Sequence, residues 1–263
     1  MISCLSEEIE SSPNYFPILS RIERLSFEGG SLTERMIIKF NSNKPTFASF
    51  YDNYGQLKSI IKWSYFKNNY LSSIKAYLPD GTSTLETNII YDSENRIVKT
   101  ERKDKKGIYL SISNFKYNKD NTITCYTERG KKLSSKLFVV NNRGMIEKEL
   151  VNGNVNVLVE YDNFSPVKLK TFSDTYTYKY MEKGYFPFSF DKILGSSKVN
   201  LILFNNSIEN TLIQDLSVRL PIKILSKSET EDYVYILNQY NLPVTKKYYY
   251  NGNLHSEYYY SYK

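Results

Sequence analysis

Turn-forming residues return at short, regular intervals through the first two-thirds of this sequence. From position 54 to position 174, eleven corners built on Asn, Asp or Gly are separated by ten intervals that cover 120 residues, or 12 residues each. These residue types accept the positive φ that tight hairpins require. A spacing of about 8–12 residues is typical of sandwiches, barrels and meanders of short antiparallel strands. The corners are Asn53-Tyr54-Gly55, Asn68-Asn69, Asp80-Gly81, Glu94-Asn95, Lys106-Gly107, Asp120-Asn121, Arg129-Gly130, Arg143-Gly144, Asn152-Gly153, Asp162-Asn163 and Ser173-Asp174.

The segments between the corners alternate in polarity and are rich in β-branched and aromatic residues. In 108–117, the residues Ile108, Leu110, Ile112 and Asn114 share one face, and 175–180 alternates strictly between Tyr and a polar residue. Such a period of two places one face on a core and the other in water. At the C-terminus, two alternating segments flank Asn251-Gly252, the strongest short-range hairpin signal.

These signals together predict an all-β protein, a long antiparallel meander of tandem hairpins. At 12 residues per strand and turn the chain holds about 14 to 18 strands, and open sheets beyond about ten strands curl, split or close. We therefore expect a strongly curved sheet or half-barrel, formed by a single repetitive domain over 15–263 after a flexible tether at 1–14. Residues 184–220 break the rhythm and predict a loop with one or two short helices, packed at a concave face or an end. A transmembrane barrel is the alternative. Lysines on both faces of many strands and the terminal Lys263 argue against it.

The charge of the chain restricts its partners. Thirty-five Lys and Arg against 28 Asp and Glu give a net charge of +7, but the lysines are scattered and acids interrupt the densest basic run, at 99–106. Nucleic-acid binding calls for a concentrated basic stripe, so the sequence disfavours it. No apolar run approaches the about 18 residues of a membrane-spanning helix.

Few residues in the sequence suggest chemistry. The single histidine, His255, is adjacent to Ser256, and neighbouring strand residues point to opposite faces, so we predict that the two do not meet and that His255 is not catalytic. One His and the separated Cys4 and Cys125 do not make a zinc site. The sequence thus nominates no catalytic residue, metal ligand or cofactor. A pair of carboxylates for glycoside hydrolysis stays open, because such a pair is spatial.

Aromatic residues make up 15% of the chain, with 25 Tyr. In the closing hairpin, Tyr248, Tyr250, Tyr258 and Tyr260 are candidates for an aromatic surface that holds a glycan, a lipid or a protein. Each strand carries three consecutive tyrosines, so at least one Tyr of each triplet should face away from its neighbours. The alternative is that the outer tyrosines only shield strand backbone.

A short motif recurs, made of tyrosine and aspartate, a turn, a hydrophobic residue and then alternation. The copies are Tyr51-Asp52, Tyr91-Asp92 and Tyr161-Asp162, with a degenerate fourth at 238–246. In such a motif the Tyr packs across strands and the Asp bonds its own turn backbone. The motif resembles the YD-repeat pattern, which also occurs in secreted toxin shells and is similar to MORN-like repeats.

More narrowly, the chain resembles uncharacterised lipoproteins of Bacteroidetes, especially flavobacteria, over nearly its full length. The likeness is carried by Ser3-Cys4 with acidic residues after it, Phe186-Pro187-Phe188 running into Ile193-Leu194-Gly195, and the closing hairpin at 248–262. Ile2-Ser3-Cys4 itself looks like the end of a bacterial lipobox, although no basic region or apolar run precedes it. The resemblance implies a lipid on Cys4 and an outer-membrane-anchored place in the cell envelope. It implies no activity.

The resulting expectation is a non-enzymatic envelope lipoprotein that binds a ligand or partner through its aromatic sheet. One alternative is an enzyme acting on envelope glycan or peptide through unidentified carboxylates. Another is a structural or interaction module of the YD-repeat type. The address would be cytoplasmic if the given N-terminus is the native one.

Overall fold

The structure, a computed structural model, describes residues 17–162, 165–185, 194, 198–205 and 219–263. These residues form eighteen strands and one helix, α1 (Lys198–Asn205). The first nine strands are β1 (Leu19–Glu28), β2 (Ser31–Asn41), β3 (Lys44–Asp52), β4 (Leu57–Tyr65), β5 (Leu71–Tyr77), β6 (Ser83–Tyr91), β7 (Ile97–Asp104), β8 (Tyr109–Tyr117) and β9 (Thr122–Arg129). The other nine are β10 (Lys132–Val140), β11 (Ile146–Val151), β12 (Asn154–Asp162), β13 (Ser165–Thr171), β14 (Thr175–Tyr185), β15 (Arg219–Leu225), β16 (Thr230–Leu237), β17 (Pro243–Tyr250) and β18 (Asn253–Tyr262).

The sheet closes on itself. Every strand pairs antiparallel with the strands before and after it in the chain, and β1 also pairs with β18 in a register that places Ile22 opposite Tyr260. Beyond the seam, the Ile18 amide donates to the Lys263 carbonyl at 3.1 Å and the Lys263 amide donates to the Ile18 carbonyl at 2.9 Å. The predicted all-β meander is therefore confirmed, but the half-barrel is wrong because the sheet forms a complete barrel. Closure removes the two edges that a half-barrel would leave unpaired.

The barrel has two distinct ends. The mouth end carries the turns that follow odd-numbered strands, from Gly29-Gly30 after β1 to Asn251-Gly252 after β17. The plug end carries the turns that follow even-numbered strands, both ends of the described chain, and the connection from β14 to β15 that contains α1. A barrel of this strand number is wide enough to leave a channel unless something fills it.

Helix α1 fills the plug end from inside. Five of its eight residues are apolar, and two of them, Ile202 and Leu203, are at most 1% exposed within the main hydrophobic core. Asn200 fixes the helix to the wall, because its Oδ1 accepts from the Ile97 amide at 3.0 Å and its Nδ2 donates to the Asn95 carbonyl at 2.9 Å. A short helix at a barrel end, as predicted for 184–220, is thus confirmed.

Several predictions lie outside the described residues. These are the lipid attachment at Cys4, the tether at 1–14, the Phe186-Pro187-Phe188 segment and residues 206–218 of the predicted insertion.

The turns repeat one hydrogen-bond pattern. The Asp92 carboxylate accepts from the amides of Glu94 at 2.9 Å and Arg96 at 3.0 Å, while Asn95 adopts a φ of +61°. This is the side-chain-to-backbone bonding that makes Asx residues good turn formers. The same pattern of amide donors two and four residues on recurs at Asp52, Asp104, Asn141 and Asn238. The turn role predicted for the Asp of the YD motif is confirmed at Asp52 and Asp92.

The Tyr of the motif bonds across its hairpin. The Tyr91 hydroxyl at the end of β6 donates to the carbonyl oxygen of Leu71, the first residue of β5, at 3.1 Å. Six tyrosines at the plug end make this bond to the preceding strand: Tyr65, Tyr91, Tyr117, Tyr161, Tyr180 and Tyr262. Tyr51 lies near the mouth end instead, so the YD copies serve both ends of the barrel.

The faces of β8 are the reverse of what its alternation suggests. Ile108 and Leu110, which the apolar pattern would place on a core, are 58% and 47% exposed on the outside. The lumen side of the strand is instead formed by Ser113 and Phe115, which are 4% and 6% exposed. Phe115 and Tyr117 supply the core contacts of this strand at the plug end, so the larger number of aliphatic residues on the other face did not decide its orientation.

Candidate functional site

Ten tyrosines line one side of the lumen and form what we call the tyrosine wall. They alternate along four strands, and between β16 and β17 the register places Tyr233 opposite Tyr248. The tyrosines of β14 are separated from those of β16 by β15, where Ile224 lies opposite Tyr178. The members are Tyr176, Tyr178 and Tyr180 of β14, Tyr233 and Tyr235 of β16, Tyr248 and Tyr250 of β17, and Tyr258, Tyr260 and Tyr262 of β18.

The four candidate tyrosines of the closing hairpin all belong to this wall. Tyr248 and Tyr250 share the lumen face of β17, as do Tyr258 and Tyr260 on β18. Tyr249 and Tyr259 point outward, and Tyr259 is 41% exposed with its hydroxyl 2.7 Å from the Glu257 carboxylate. The expectation that one Tyr of each triplet faces away is therefore confirmed. The tyrosine surface is concave and internal.

A buried lysine sits within the wall. Lys246 is 4% exposed, and its ammonium lies 4.5 Å from the centre of the Tyr258 ring and 5.0 Å from that of Tyr233. A cation over aromatic faces is stabilised by the ring quadrupole. Tyr233 also stacks on Tyr248, with ring centres 5.1 Å apart and planes 16° apart. Sequence reasoning missed Lys246, although its even-numbered position among alternating tyrosines already places it on their face.

Three phenols of the wall, those of Tyr233, Tyr235 and Tyr248, stay neutral at physiological pH. Burial raises the pKa of Tyr233, Tyr235 and Tyr248, and for Tyr233 the neighbouring Glu231 carboxylate, which accepts its hydroxyl proton in a hydrogen bond, raises the pKa further. Neutral phenols present a polarisable ring and a hydroxyl donor. The wall is thus suited to stacking and hydrogen bonding more than to proton transfer.

His255 and Ser256 do meet, contrary to prediction. The His255 Nδ1 lies 3.0 Å from the Ser256 Oγ, and its ring centre is 5.1 Å from that of Tyr248. The physical reason is a β-bulge, since Tyr248 pairs with Ser256 and Tyr249 with Leu254, which leaves His255 as the extra residue. A bulge interrupts strict alternation and re-aims a side chain. The sequence rule that adjacent residues diverge fails here.

The wall reaches the surface through a cleft at the mouth end, which we call the mouth cleft. Its volume is about 510 Å³, and it separates the tip of the β1–β2 hairpin from that of the β17–β18 hairpin. It is lined by Phe27, Glu28, Gly29, Gly30, Tyr250, Asn251, Asn253, Leu254 and His255. Aromatic faces, an amide and a carboxylate thus converge at an opening that continues into the tyrosine wall.

A second polar cluster lies across the lumen, on β9 to β12. The Lys136 ammonium is 2.9 Å from the Glu149 carboxylate, which is fully buried and also accepts from the Asn156 amide at 3.1 Å. Cys125 is 1% exposed, and burial raises the pKa of its thiol, which suppresses the nucleophilic thiolate. Sequence reasoning missed this cluster because its members are on different strands and carry no motif.

Within the ranges that the structure describes, no group of three or more His, Cys, Asp or Glu side chains is arranged to hold a metal ion. The same ranges contain no helix long and apolar enough to cross a membrane.

Comparison with known proteins identifies no family. No family model matches the chain, and no curated protein matches it. Among solved structures, a porin-like protein from Bacteroides uniformis is similar over 93% of this chain and 98% of its own, with 11% identity and a TM-score of 0.32. A chain of the crystal structure of TcdB2-TccC3-Cdc42 is similar over 87% of this chain, with 10% identity and a TM-score of 0.30. This chain spans 15% of the TcdB2–TccC3 chain.

A protein of unknown function from Bacteroides fragilis is also similar, over 52% of this chain and 96% of its own, with 18% identity and a TM-score of 0.18. Similarities at these levels transfer no function to this chain.

Proposed function

We propose that this protein is a non-enzymatic binding protein of the cell envelope, and that its ligand is a glycan that enters at the mouth cleft and stacks on the tyrosine wall. The observation that carries the proposal is the convergence of Tyr250, His255 and Asn253 at an opening of about 510 Å³. Ligand sites are concave, lined by apolar and aromatic side chains and equipped with a few polar groups. Sugar rings offer the apolar face and the hydroxyls that such a lining matches.

The polar groups beside the rings fit this ligand class. Asn253 offers an amide with donors and an acceptor, and Glu28 offers a carboxylate that accepts sugar hydroxyls. Behind them, Tyr248 lies between the Tyr233 and His255 rings, with both ring centres 5.1 Å away, and so continues the stacking surface inward.

The proposal that the protein is not an enzyme is supported by the number of carboxylates at the mouth cleft. Glu28 is the single carboxylate among the described residues that line the mouth cleft, whereas glycoside hydrolysis uses a pair about 5–9 Å apart. The envelope enzyme is the second candidate, because Glu231 lies opposite Tyr250 on the lumen face, next to the mouth cleft.

Binding is tested by titrating envelope glycans and their soluble fragments into the protein in a calorimeter. Tyr250→Ala and Tyr248→Ala should each weaken binding by about fivefold or more, since loss of an aromatic stacking partner removes about 1–3 kcal/mol where rings stack. Tyr259→Ala is the matched control, a tyrosine of the same hairpin that points outward, and it should bind like the wild type. Equal loss in the control, or no glycan bound by the wild type, would contradict the proposal. Release of shortened glycan would favour the enzyme, and a dependence of that release on His255 would contradict its non-catalytic role.

The envelope address forms the second part of the proposal, with Cys4 as the lipid-bearing residue. It is supported by the sequence around Ser3-Cys4 and by the position of Ile18 at the plug end, opposite the mouth cleft. An anchor that leaves from the plug end keeps the cleft open to its ligand. Cells grown with a fatty-acid analogue should label the wild-type protein made from its full precursor, and equal labelling of Cys4→Ser would contradict the anchor.

A further inference from the structure

The outer face of β8 to β12 differs from the rest of the barrel surface. Apolar side chains stand next to one another across these strands, and several are exposed to an unusual degree: Leu133 is 80%, Val155 56%, Tyr126 52% and Leu110 47% exposed. The pairings join part of this surface, because Leu137 lies opposite Leu150 and Leu150 lies opposite Val155. Leu133 and Tyr126 lie opposite Glu128 and Ser135. We call this surface the apolar flank.

Elsewhere the outer face is covered by charged pairs between neighbouring strands. Arg35 binds Glu23 at 2.6 Å, Lys75 binds Glu86 at 3.2 Å, and Lys247 binds Glu257 at 2.9 Å. In the described part of the chain, no ion pair crosses the outer face of β8, β9 and β10, where Glu128 is the one acid beside the apolar residues. A band of charge over most of the circumference is costly in hydrocarbon, so the described strands do not form a complete apolar belt.

Basic residues border the apolar flank at the mouth end. Lys105 and Lys106 occupy the exposed turn before β8, and Lys131 occupies the exposed tip between β9 and β10, with Arg129 beside it. Exposed apolar and aromatic side chains bordered by lysines are the combination that holds proteins at an anionic bilayer surface. Contiguous exposed apolar patches on soluble proteins mark interaction sites.

We propose that the apolar flank is a docking surface for an anionic lipid bilayer, on which the barrel lies on its side. Leu110, Leu133 and Val155 would enter the interface between headgroups and acyl chains. Tyr109 and Tyr126 would lie at headgroup depth, where amphipathic rings are favoured. The basic turns would face the anionic headgroups. A second copy of the chain fits this surface less well than an anionic bilayer does. Two copies each carry a net charge of +7 and lysines at the margin of the flank, so they repel each other.

The test uses the full chain carrying Cys4→Ser, so that no acyl chain on residue 4 can bind the protein to the vesicles. It is sedimented with vesicles of phosphatidylcholine alone and with vesicles that contain phosphatidylglycerol as well. We expect partitioning onto the anionic vesicles to be at least tenfold stronger and to weaken as salt is added, since salt screens the lysines. The double variant Leu133→Ser with Tyr126→Ser should lose at least tenfold in partitioning, and Lys105→Glu with Lys106→Glu should abolish the preference for anionic vesicles.

The matched control is the double variant Val234→Ser with Ile236→Ser on the outer face of β16, where the two side chains are 53% and 61% exposed. It should partition like the parent. Absence of vesicle binding by the parent, or an equal loss in the β16 control, would overturn the proposal. A dimer seen by light scattering that disappears in the Leu133 and Tyr126 variant, without any vesicle binding, would assign the flank to self-association and also overturn it. Glycan binding is measured on the same variants, and its failure leaves the vesicle result unaffected.

Discussion

The hydroxyl of Tyr91 closes its hairpin by donating to the carbonyl oxygen of Leu71, twenty residues earlier in the chain and on the neighbouring strand. Leu71 is fully buried, so its carbonyl has little access to water at this end of the strand. Five other tyrosines repeat the bond around the plug end. The hydroxyl of the repeated tyrosine therefore joins two neighbouring strands by a hydrogen bond, and its ring packs on the core at the same time.

Tyr91→Phe keeps the ring and removes only the hydrogen bond. We expect a loss of about 0.5–1.5 kcal/mol in the free energy of unfolding, the range for one intramolecular hydrogen bond. The measurement is a urea unfolding curve. Tyr259→Phe is the control, because Tyr259 is 41% exposed on the outer face, and it should change the free energy by less. An equal change in both would contradict the interstrand role.

The pair of Lys136 and Glu149 should behave as a buried ion pair. Glu149 is fully buried and Lys136 is 26% exposed. Glu149→Ala should therefore cost about 3 kcal/mol, the low end for breaking a buried pair, because the partly exposed ammonium keeps some hydration. The double variant Lys136→Met with Glu149→Leu should lose less than Glu149→Ala. Additive losses in a double-mutant cycle would show that the two charges are not coupled.

The turn aspartates predict loss of stability in acid. Hydrogen bonds to three turn carboxylates hold their pKa below the ordinary value of 3.8. The Asp52 carboxylate accepts from the Lys58 ammonium, that of Asp80 from the Thr82 amide, and that of Asp120 from the Thr122 hydroxyl. In Asp92, burial opposes the shift, but bonds from Arg96 and Glu94 outweigh it. A depressed pKa in the folded state means that the stabilisation is complete above 3.8 and is lost as the pH falls through the folded values.

Unfolding midpoints should accordingly be constant from about pH 7 to pH 5 and should fall below about pH 4. Replacing Asp92 by Asn keeps the turn acceptor but removes its titration, so the fall in acid should become shallower. An unchanged slope in Asp92→Asn would contradict this origin.

Cys125 should be unreactive until the barrel opens. Its side chain is 1% exposed, so a reagent cannot reach the sulfur. Burial also raises the pKa of the thiol, so little of it is in the reactive thiolate form. In a Cys4→Ser background, a coloured disulfide reagent should react with no thiol in native protein and with one thiol in denaturant. Rapid reaction of the native protein would mean that the lumen wall opens locally at β9.

Local patterns in the sequence predict the hairpins well. The Asx and Gly corners mark turns because the conformation they favour is intrinsic to those residues, as Asn95 and Gly107 show with φ values of +61° and +77°. Within β17 the common face of Tyr248 and Tyr250, and within β18 that of Tyr258 and Tyr260, follow from alternation in the same way. Both are properties of short segments, which need no knowledge of distant partners.

Three features depend on contacts between distant segments: the closure of the barrel, the inward face of β8 and the β-bulge at His255. The pairing of Ile22 with Tyr260 joins residues at opposite ends of the chain, and neither segment encodes it alone. The inward face of β8 is set by Phe115, which packs on a core built by other strands. The three aliphatic residues Ile108, Leu110 and Ile112 therefore do not identify the face that is buried. The contact between His255 and Ser256 depends on a one-residue shift against β17, which the alternation of β18 does not reveal.

The seam between β1 and β18 makes both strands necessary for a closed sheet. A chain that lacks β18 has an unpaired edge on β1 and another on β17. Exposed edges of this kind recruit other chains. Deletion of β18 should therefore yield aggregates in place of a slightly smaller barrel.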